Sequence, residues 1–212
     1  MGSRPVRIAV VSDAVLPWHR GGKEFRYGEL LKRWDRADVE VTVYTMKWWE
    51  GDAPTDGHLR YHALCAHHEM YHGKRRSIRQ AILFALATFK LLFVDCDVIE
   101  ADHMPYIPLF PLRMVASIKR VPLVVTWHEL WGREYWTEYL GIAGNIGAFV
   151  EWLATKLPTL IAVVSSGSAE RLRRMGVPDK RIVIVPNAIS GAYIDGVSAS
   201  SEDVDILFVG RL

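Results

Sequence analysis

The chain is an α/β protein, a Rossmann-like parallel sheet with helices on both faces, on the strength of three observations. Short β-branched runs alternate with longer stretches of helical pattern. Runs such as Ile8-Ala9-Val10-Val11 and Leu123-Val124-Val125 are apolar without alternation, as strands are when helices cover both faces of their sheet. Half of the 212 residues are hydrophobic, enough to bury a large core and to rule out a disordered chain.

The elements follow in order. A strand at Val6–Ser12 is followed by a loop that holds Gly21-Gly22, and a helix runs over Lys23–Arg33. Strands at Val39–Thr45 and Leu59–Leu64 precede a helix over Ser77–Phe93, the most apolar stretch of the chain. Asp97–Glu100 is a short strand, Pro108–Lys119 a helix, and Pro122–Thr126 the next strand. Asn145–Lys156 reads as a helix and Thr159–Val164 as a β-branched strand ending in Ser165-Ser166-Gly167. Ser168–Met175 is a short helix stopped by Gly176, and Arg181–Val185 the last strand before a Gly/Ser-rich hinge over 191–203.

Bulk properties narrow the function. Lys and Arg number 26 against 24 Asp and Glu, and a net +2 argues against nucleic-acid binding. Two cysteines, Cys65 and Cys96, are too few for a disulfide framework and suit a reducing compartment. Met1 to Pro5 lead straight into the first strand, so no signal peptide is expected. The apolar run from Ala81 to Val94 contains Lys90 and is too short to span a bilayer. A cytoplasmic protein is expected.

In open parallel sheets ligands bind beyond the carboxyl ends of the strands. That edge holds Asp13, Trp18, His19, Gly21 and Gly22 after the first strand, and Trp48 and Trp49 after the second. Asp102, His103 and Tyr106 follow the fourth strand; Trp127, His128, Glu129, Trp131 and Trp136 follow the fifth. Six of the eight tryptophans therefore fall on the binding edge, where indole faces suit the C–H faces of sugar rings. For any one Trp, closing the sheet end over the core is an equal alternative. Gly21-Gly22 lets backbone approach a diphosphate at a helix N-terminus, although a plain tight turn uses the same residues. The dinucleotide fingerprint is absent from this turn, and Gly141-x-x-Gly144-x-x-Gly147 follows no strand, which disfavours hydride chemistry.

The last fifth of the chain carries a resemblance. Thr159 to Gly167, the helix to Met175, Ile182–Val185, Pro186-Asn187-Ala188-Ile189 and the final run Asp205-Ile206-Leu207-Phe208-Val209-Gly210-Arg211-Leu212 occur in an order that resembles glycosyltransferase family 4, the group 1 glycosyltransferases of GT-B fold. The resemblance implies an acceptor-side domain over residues 1–196, a hinge over 197–204, and over 205–212 the first strand of a donor-binding domain otherwise missing. It implies transfer of a sugar from a nucleotide sugar, with retention, to a sugar or lipid-linked acceptor, with no separate cofactor or metal. It assigns the catalytic cleft to His128, from the strand ending Thr126-Trp127-His128-Glu129, and the donor diphosphate to Gly21 and Gly22. Trp18, His103, Tyr106, Glu129, Trp131, Ser165 and Asn187 complete the expected substrate contacts; helix capping by Ser165 and turn formation by Asn187 are equal readings. A sugar-nucleotide epimerase of the same architecture, or a carbohydrate-binding module without catalysis, are the alternatives.

His68-Glu69-Met70-Tyr71-His72 matches the zinc-peptidase pattern, which requires a helix, yet it falls in a loop before Gly73 and is rejected. Lys74, Arg75, Arg76 and Arg79 ahead of the apolar helix leave open a peripheral contact at the inner membrane face, against an ordinary core helix with a solvated start.

Overall fold

Helices cover both faces of a largely parallel sheet, the fold class the sequence suggested. The computed structural model describes residues 4–34, 38–56, 59–73 and 75–187 and the single positions 191, 195, 196, 198 and 205. The expected hinge over 197–204 and strand over 205–212 lie outside the described residues, apart from two of those single positions. The elements are β1 (Val6–Val11), α1 (Gly22–Trp34), β2 (Val39–Lys47), β3 (Thr55–Asp56), β4 (Leu59–Ala66), β5 (Tyr71–His72), β6 (Arg75–Arg76) and α2 (Ile78–Ala87). After these come β7 (Val98–Asp102), α3 (Leu109–Lys119), β8 (Leu123–Trp127), α4 (Gly132–Leu140), α5 (Gly144–Ala154), β9 (Leu160–Val163), α6 (Ser166–Arg174) and β10 (Ile182–Ile184).

The main sheet has the order β10-β9-β8-β7-β1-β2-β4-β3, parallel throughout except for the two-residue β3 against β4. The chain winds outward from β1 to β4, returns through α2 to β7 on the other side of β1, and winds outward again. Val10 thus pairs with Val43 on one flank and Glu100 on the other. The reversal between β1 and β7 is a topological switch point, where a crevice opens at the carboxyl ends. Two cores follow. Tyr27 and Leu31 of α1 cover Val10, Val41 and Val43 on one face. Phe84 of α2, Leu112 of α3, Ala154 of α5 and Leu172 of α6 cover Ala9, Ile99, Val125 and Ile161 on the other.

The expected helix over Ser77–Phe93 is α2 followed by a 3-10 segment, Thr88–Phe93. Ser77 caps α2 by accepting from the Gln80 N–H at 3.2 Å. α4 was not anticipated, because none of its residues is buried and so no apolar stripe marks it. Among the described residues no helix is long and apolar enough to cross a membrane.

The glycines that imitated a phosphate motif have a packing role instead. Gly141, at φ +63°, ends α4. A Cβ on Gly144 would lie 2.0 Å from the Trp136 carbonyl oxygen, and one on Gly147 would lie 2.4 Å from the Trp136 ring. These residues let α5 close on α4. Gly144→Ala is expected to destabilise by about 3 kcal/mol, because the clash is with backbone rather than a flexible side chain. The melting temperature should fall by about 6–12 °C. Gly22→Ala, whose Cβ meets nothing within 4 Å, is the control that should melt like the parent.

Candidate functional site

The crevice is built from strand ends on either side of the switch point. β1 delivers Asp13 and β7 ends in Asp102, both carboxylates buried. Lys23, in the first turn of α1, places Nζ between them, 3.0 Å from Asp13 Oδ1 and 2.9 Å from Asp102 Oδ2. On the far side Asp13 is met by the Arg76 guanidinium of β6 and by Gln80 Nε2 of α2 at 3.2 Å. On the other flank Asp102 Oδ1 lies 3.2 Å from His103 Nδ1 and 3.6 Å from His128 Nε2, the latter beyond a direct hydrogen bond. One connected path of charge, Arg76–Asp13–Lys23–Asp102, therefore crosses the floor of the crevice and ends beside His128.

Its electrostatics follow from burial opposed by pairing. Burial by itself would raise Asp13 and Asp102. Lys23, joined by Arg76 at Asp13 and by His103 and His128 at Asp102, outweighs it and holds both carboxyls below the usual range. Burial would lower Lys23, yet Asp102 and Asp13 raise it above its ordinary value. His128 behaves otherwise. Burial outweighs Asp102 and pushes it down to about 4, so the imidazole is neutral at pH 7. A neutral ring can hydrogen-bond a hydroxyl as donor and acceptor.

The glycine pair borders this floor. Phe25 N–H donates to Gly21 O at 3.0 Å, which starts α1, and the N–H groups of its first turn have no partner within the helix. Space beside Gly22 is open, and Arg26, one turn along, donates to Pro186 O at 3.2 Å and to Asn187 Oδ1 at 2.9 Å. Asn187 is thereby brought to α1 across the sheet. Leu16-Pro17 and Met104-Pro105, both cis, lie in the loops after β1 and β7.

Other expected contacts divide. Trp18 packs on Trp49 and Tyr61, with centroids 5.5 Å away in both cases, beside the glycine loop. Glu129 is exposed next to His128, and Trp131 stands at the start of α4, 4.9 Å from Trp136. His103 is buried and stacked on Trp127 at 5.2 Å, so it supports the crevice from below. Tyr106 does not reach the crevice: it is buried and its hydroxyl donates to Glu151 at 2.8 Å. Trp127, counted above among the edge tryptophans, is the fully buried last residue of β8, because side chains at a sheet end still alternate into the core. Ser165 caps α6, accepting from the Ser168 N–H at 3.1 Å. The zinc-peptidase match forms no helix: Met70 is buried and Tyr71–His72 is a strand of the β5–β6 hairpin.

Lys23, Arg76 and Gln80 were missed as site residues. A signal was available, since two carboxylates at a switch point require a buried cation, and Lys23 directly follows the glycine pair. Glu151 was missed as well. It is wholly buried on α5 and accepts from Trp131 N, Gly132 N and Tyr106 Oη at 2.8 Å each and from Trp136 Nε1 at 3.2 Å, pinning the start of α4 and Trp131 with it.

Residues 20–191, from the glycine loop past Asn187, match the sequence profile of Glycosyltransferase Family 4. The chain belongs to that family. Among curated protein sequences none matches it. Solved structures share the fold of this family 4 chain. HepE of Anabaena in complex with UDP and glucose is 15% identical and aligns over 89% of this chain and 48% of its own, with a TM-score of 0.51. The catalytic domain of starch synthase IV of Arabidopsis thaliana, bound to ADP and acarbose, is 13% identical over 88% of this chain and 52% of that one, at 0.58. The UDP-N-acetylglucosamine 2-epimerase of Rickettsia bellii is 7% identical over 87% and 45%, at 0.54. The chain spans about half the length of these structures.

Proposed function

We propose that the chain is the acceptor-side half of a retaining glycosyltransferase that moves a sugar from a nucleotide-sugar donor to a hydroxyl of a sugar or lipid-linked acceptor. The observation that carries the reading is the meeting, at one switch point, of an open helix N-terminus at Gly21-Gly22 with a neutral histidine beside a buried carboxylate. The first suits a diphosphate and the second suits sugar hydroxyls. Family membership and neighbours solved with UDP, glucose and ADP support it. Residues 1–196 would form the acceptor-side domain, 197–204 the hinge, and 205–212 the opening strand of the donor-binding domain.

In this scheme the acceptor oxygen forms a bond to the anomeric carbon on the face from which the diphosphate oxygen leaves. The hydroxyl proton passes to that diphosphate oxygen, so the scheme calls on no enzyme nucleophile and no metal. His128 orients the reacting sugar, Asp102 and Lys23 hold the floor on which it rests, and the α1 N-terminus faces the developing diphosphate charge.

The epimerase reading keeps one observation in its favour, the shared fold of the Rickettsia enzyme. Ligand-observed NMR with simple sugars and alkyl glycosides is expected to show weak acceptor binding by this chain. That binding should fall about tenfold or more in His128→Ala and stay near parental in His68→Ala. No transfer is expected from this chain by itself. Conversion of a nucleotide sugar to its epimer with no acceptor present would refute the transferase reading.

A further inference from the structure

Helices that cover a sheet normally show water their polar side. The layer made by α2, its 3-10 extension, α3 and α5 does not. α2 turns Ile78, Ile82 and Leu86 outward, spaced one turn apart along a single stripe, and Phe93 beyond it is 91% exposed. α3 exposes Met114 and Ile118, again one turn apart, and α5 exposes Ile146, Phe149 and Trp152. All three helices pack into the same core cluster on one sheet face, so these side chains look outward from one layer. Apolar residues thus occupy both sides of helices whose inner side alone is needed for the fold.

The charges of the layer are equally one-sided. Residues 77–94, 108–120 and 144–156 contain Arg79, Lys90, Arg113, Lys119, Arg120 and Lys156, of which Lys90 and Lys156 donate to the Leu64 and Met175 carbonyls, against a single acid, Glu151, which is fully buried. None of these helical segments exposes a carboxylate. α1 on the opposite face differs, with Glu29 paired to Lys32 and Arg33 in the mixed pattern of a solvated helix.

We propose that the outer face of this layer docks on an anionic lipid bilayer. The apolar side chains would enter the boundary between headgroups and acyl chains while the flanking cations meet lipid phosphates. A second copy of the chain fits less well, because a two-fold contact would set the same cations against each other, and the exposed acids that border the layer, Asp95 and the α4 residues Glu134 and Glu138, are fewer than the cations. The helices begin at the carboxyl edge of the sheet, α3 following directly from the loop that carries His103. Docking on their outer side therefore leaves the crevice open beside the membrane surface.

Co-sedimentation of the purified chain with vesicles tests it. Binding is expected to vesicles containing about 30 mol % phosphatidylglycerol, weakened by about 0.5 M salt, and not to phosphatidylcholine alone. Arg79→Glu with Arg113→Glu should weaken it about tenfold or more through charge. Leu86→Asp with Phe149→Asp should do so through lost burial, also by about tenfold or more. All four side chains are exposed, so circular dichroism should be parental in both variants. Failure to sediment with the anionic vesicles overturns the proposal. So does sedimentation that neither pair alters, or a dimer that Leu86→Asp with Phe149→Asp disperses without any binding to vesicles.

Discussion

Glu151→Leu is expected to destabilise the domain by at least about 4 kcal/mol, lowering its melting temperature by about 8–16 °C. The two side chains are of similar size, so the loss is polar rather than a cavity. The carboxylate accepts four hydrogen bonds in a fully buried setting, two from the backbone at the start of α4 and one each from Trp136 Nε1 and Tyr106 Oη. A leucine leaves all four donors without an acceptor, at about 1–3 kcal/mol for each that cannot reach water. No residue of α4 is fully buried, and beyond the half-buried Trp136 and the close approach of α5 these hydrogen bonds are what fixes its start. Its detachment should appear as a red shift in the emission of Trp131 and Trp136. Glu151→Gln keeps one oxygen but aims an amide N–H at Gly132 N or Trp136 Nε1, and should fall between. A Glu151→Leu protein with parental melting and emission would show that α4 is held by something other than this carboxylate.

The sheet was legible in the sequence because strands buried on both faces must be apolar throughout, and runs such as Leu123–Val125 leave no helical reading of that length. The crevice was legible for the same reason, since strand ends in a parallel sheet mark it once the strands are placed. The floor of the crevice was not. Lys23, Arg76 and Gln80 reach Asp13 from α1, β6 and α2, up to 67 positions apart in the chain, and no local pattern records such pairing. Trp127 and Tyr106 show the opposite failure, because a residue's place on the edge of a sheet does not say whether it faces the opening or the core. Gly144 and Gly147 were visible as glycines, but their meaning lay in the approach of a helix that itself gave no signal. The exposed apolar stripe of α2 could not be told from a core stripe until the outward side was known.

Glu100→Gln is expected to leave stability unchanged near pH 4 and to raise it by about 4 kcal/mol near pH 8. Glu100 lies on β7 beneath α1, where burial pushes its carboxyl from the ordinary 4.5 up to about 8 despite hydrogen bonds from Thr126 and Tyr27. At neutral pH the folded protein therefore keeps a proton on this group. Its hydroxyl can donate to Tyr27 Oη at 2.8 Å while its carbonyl oxygen accepts from Thr126 Oγ1 at 2.6 Å. The unfolded chain releases that proton above about pH 4.5, so it binds fewer protons than the native state, and stability falls as pH rises toward 8. Glutamine reproduces the protonated acid, with an amide N–H for Tyr27 and a carbonyl for Thr126, and does not titrate. His128 works in the other direction: its lowered value adds stability as pH rises from about 4 to 6.5. That contribution is common to both proteins and cancels in their difference. Urea midpoints at a series of pH values give the comparison directly, and parallel curves for the two proteins would mean that Glu100 is ionised in the fold. The pair matters for the site because Tyr27–Glu100 ties α1, with Gly22 and Lys23 at its head, to the strand that ends in Asp102. Ionising Glu100 would loosen that tie from below, so acceptor binding should weaken above pH 8 in the parent and hold steady in the glutamine variant.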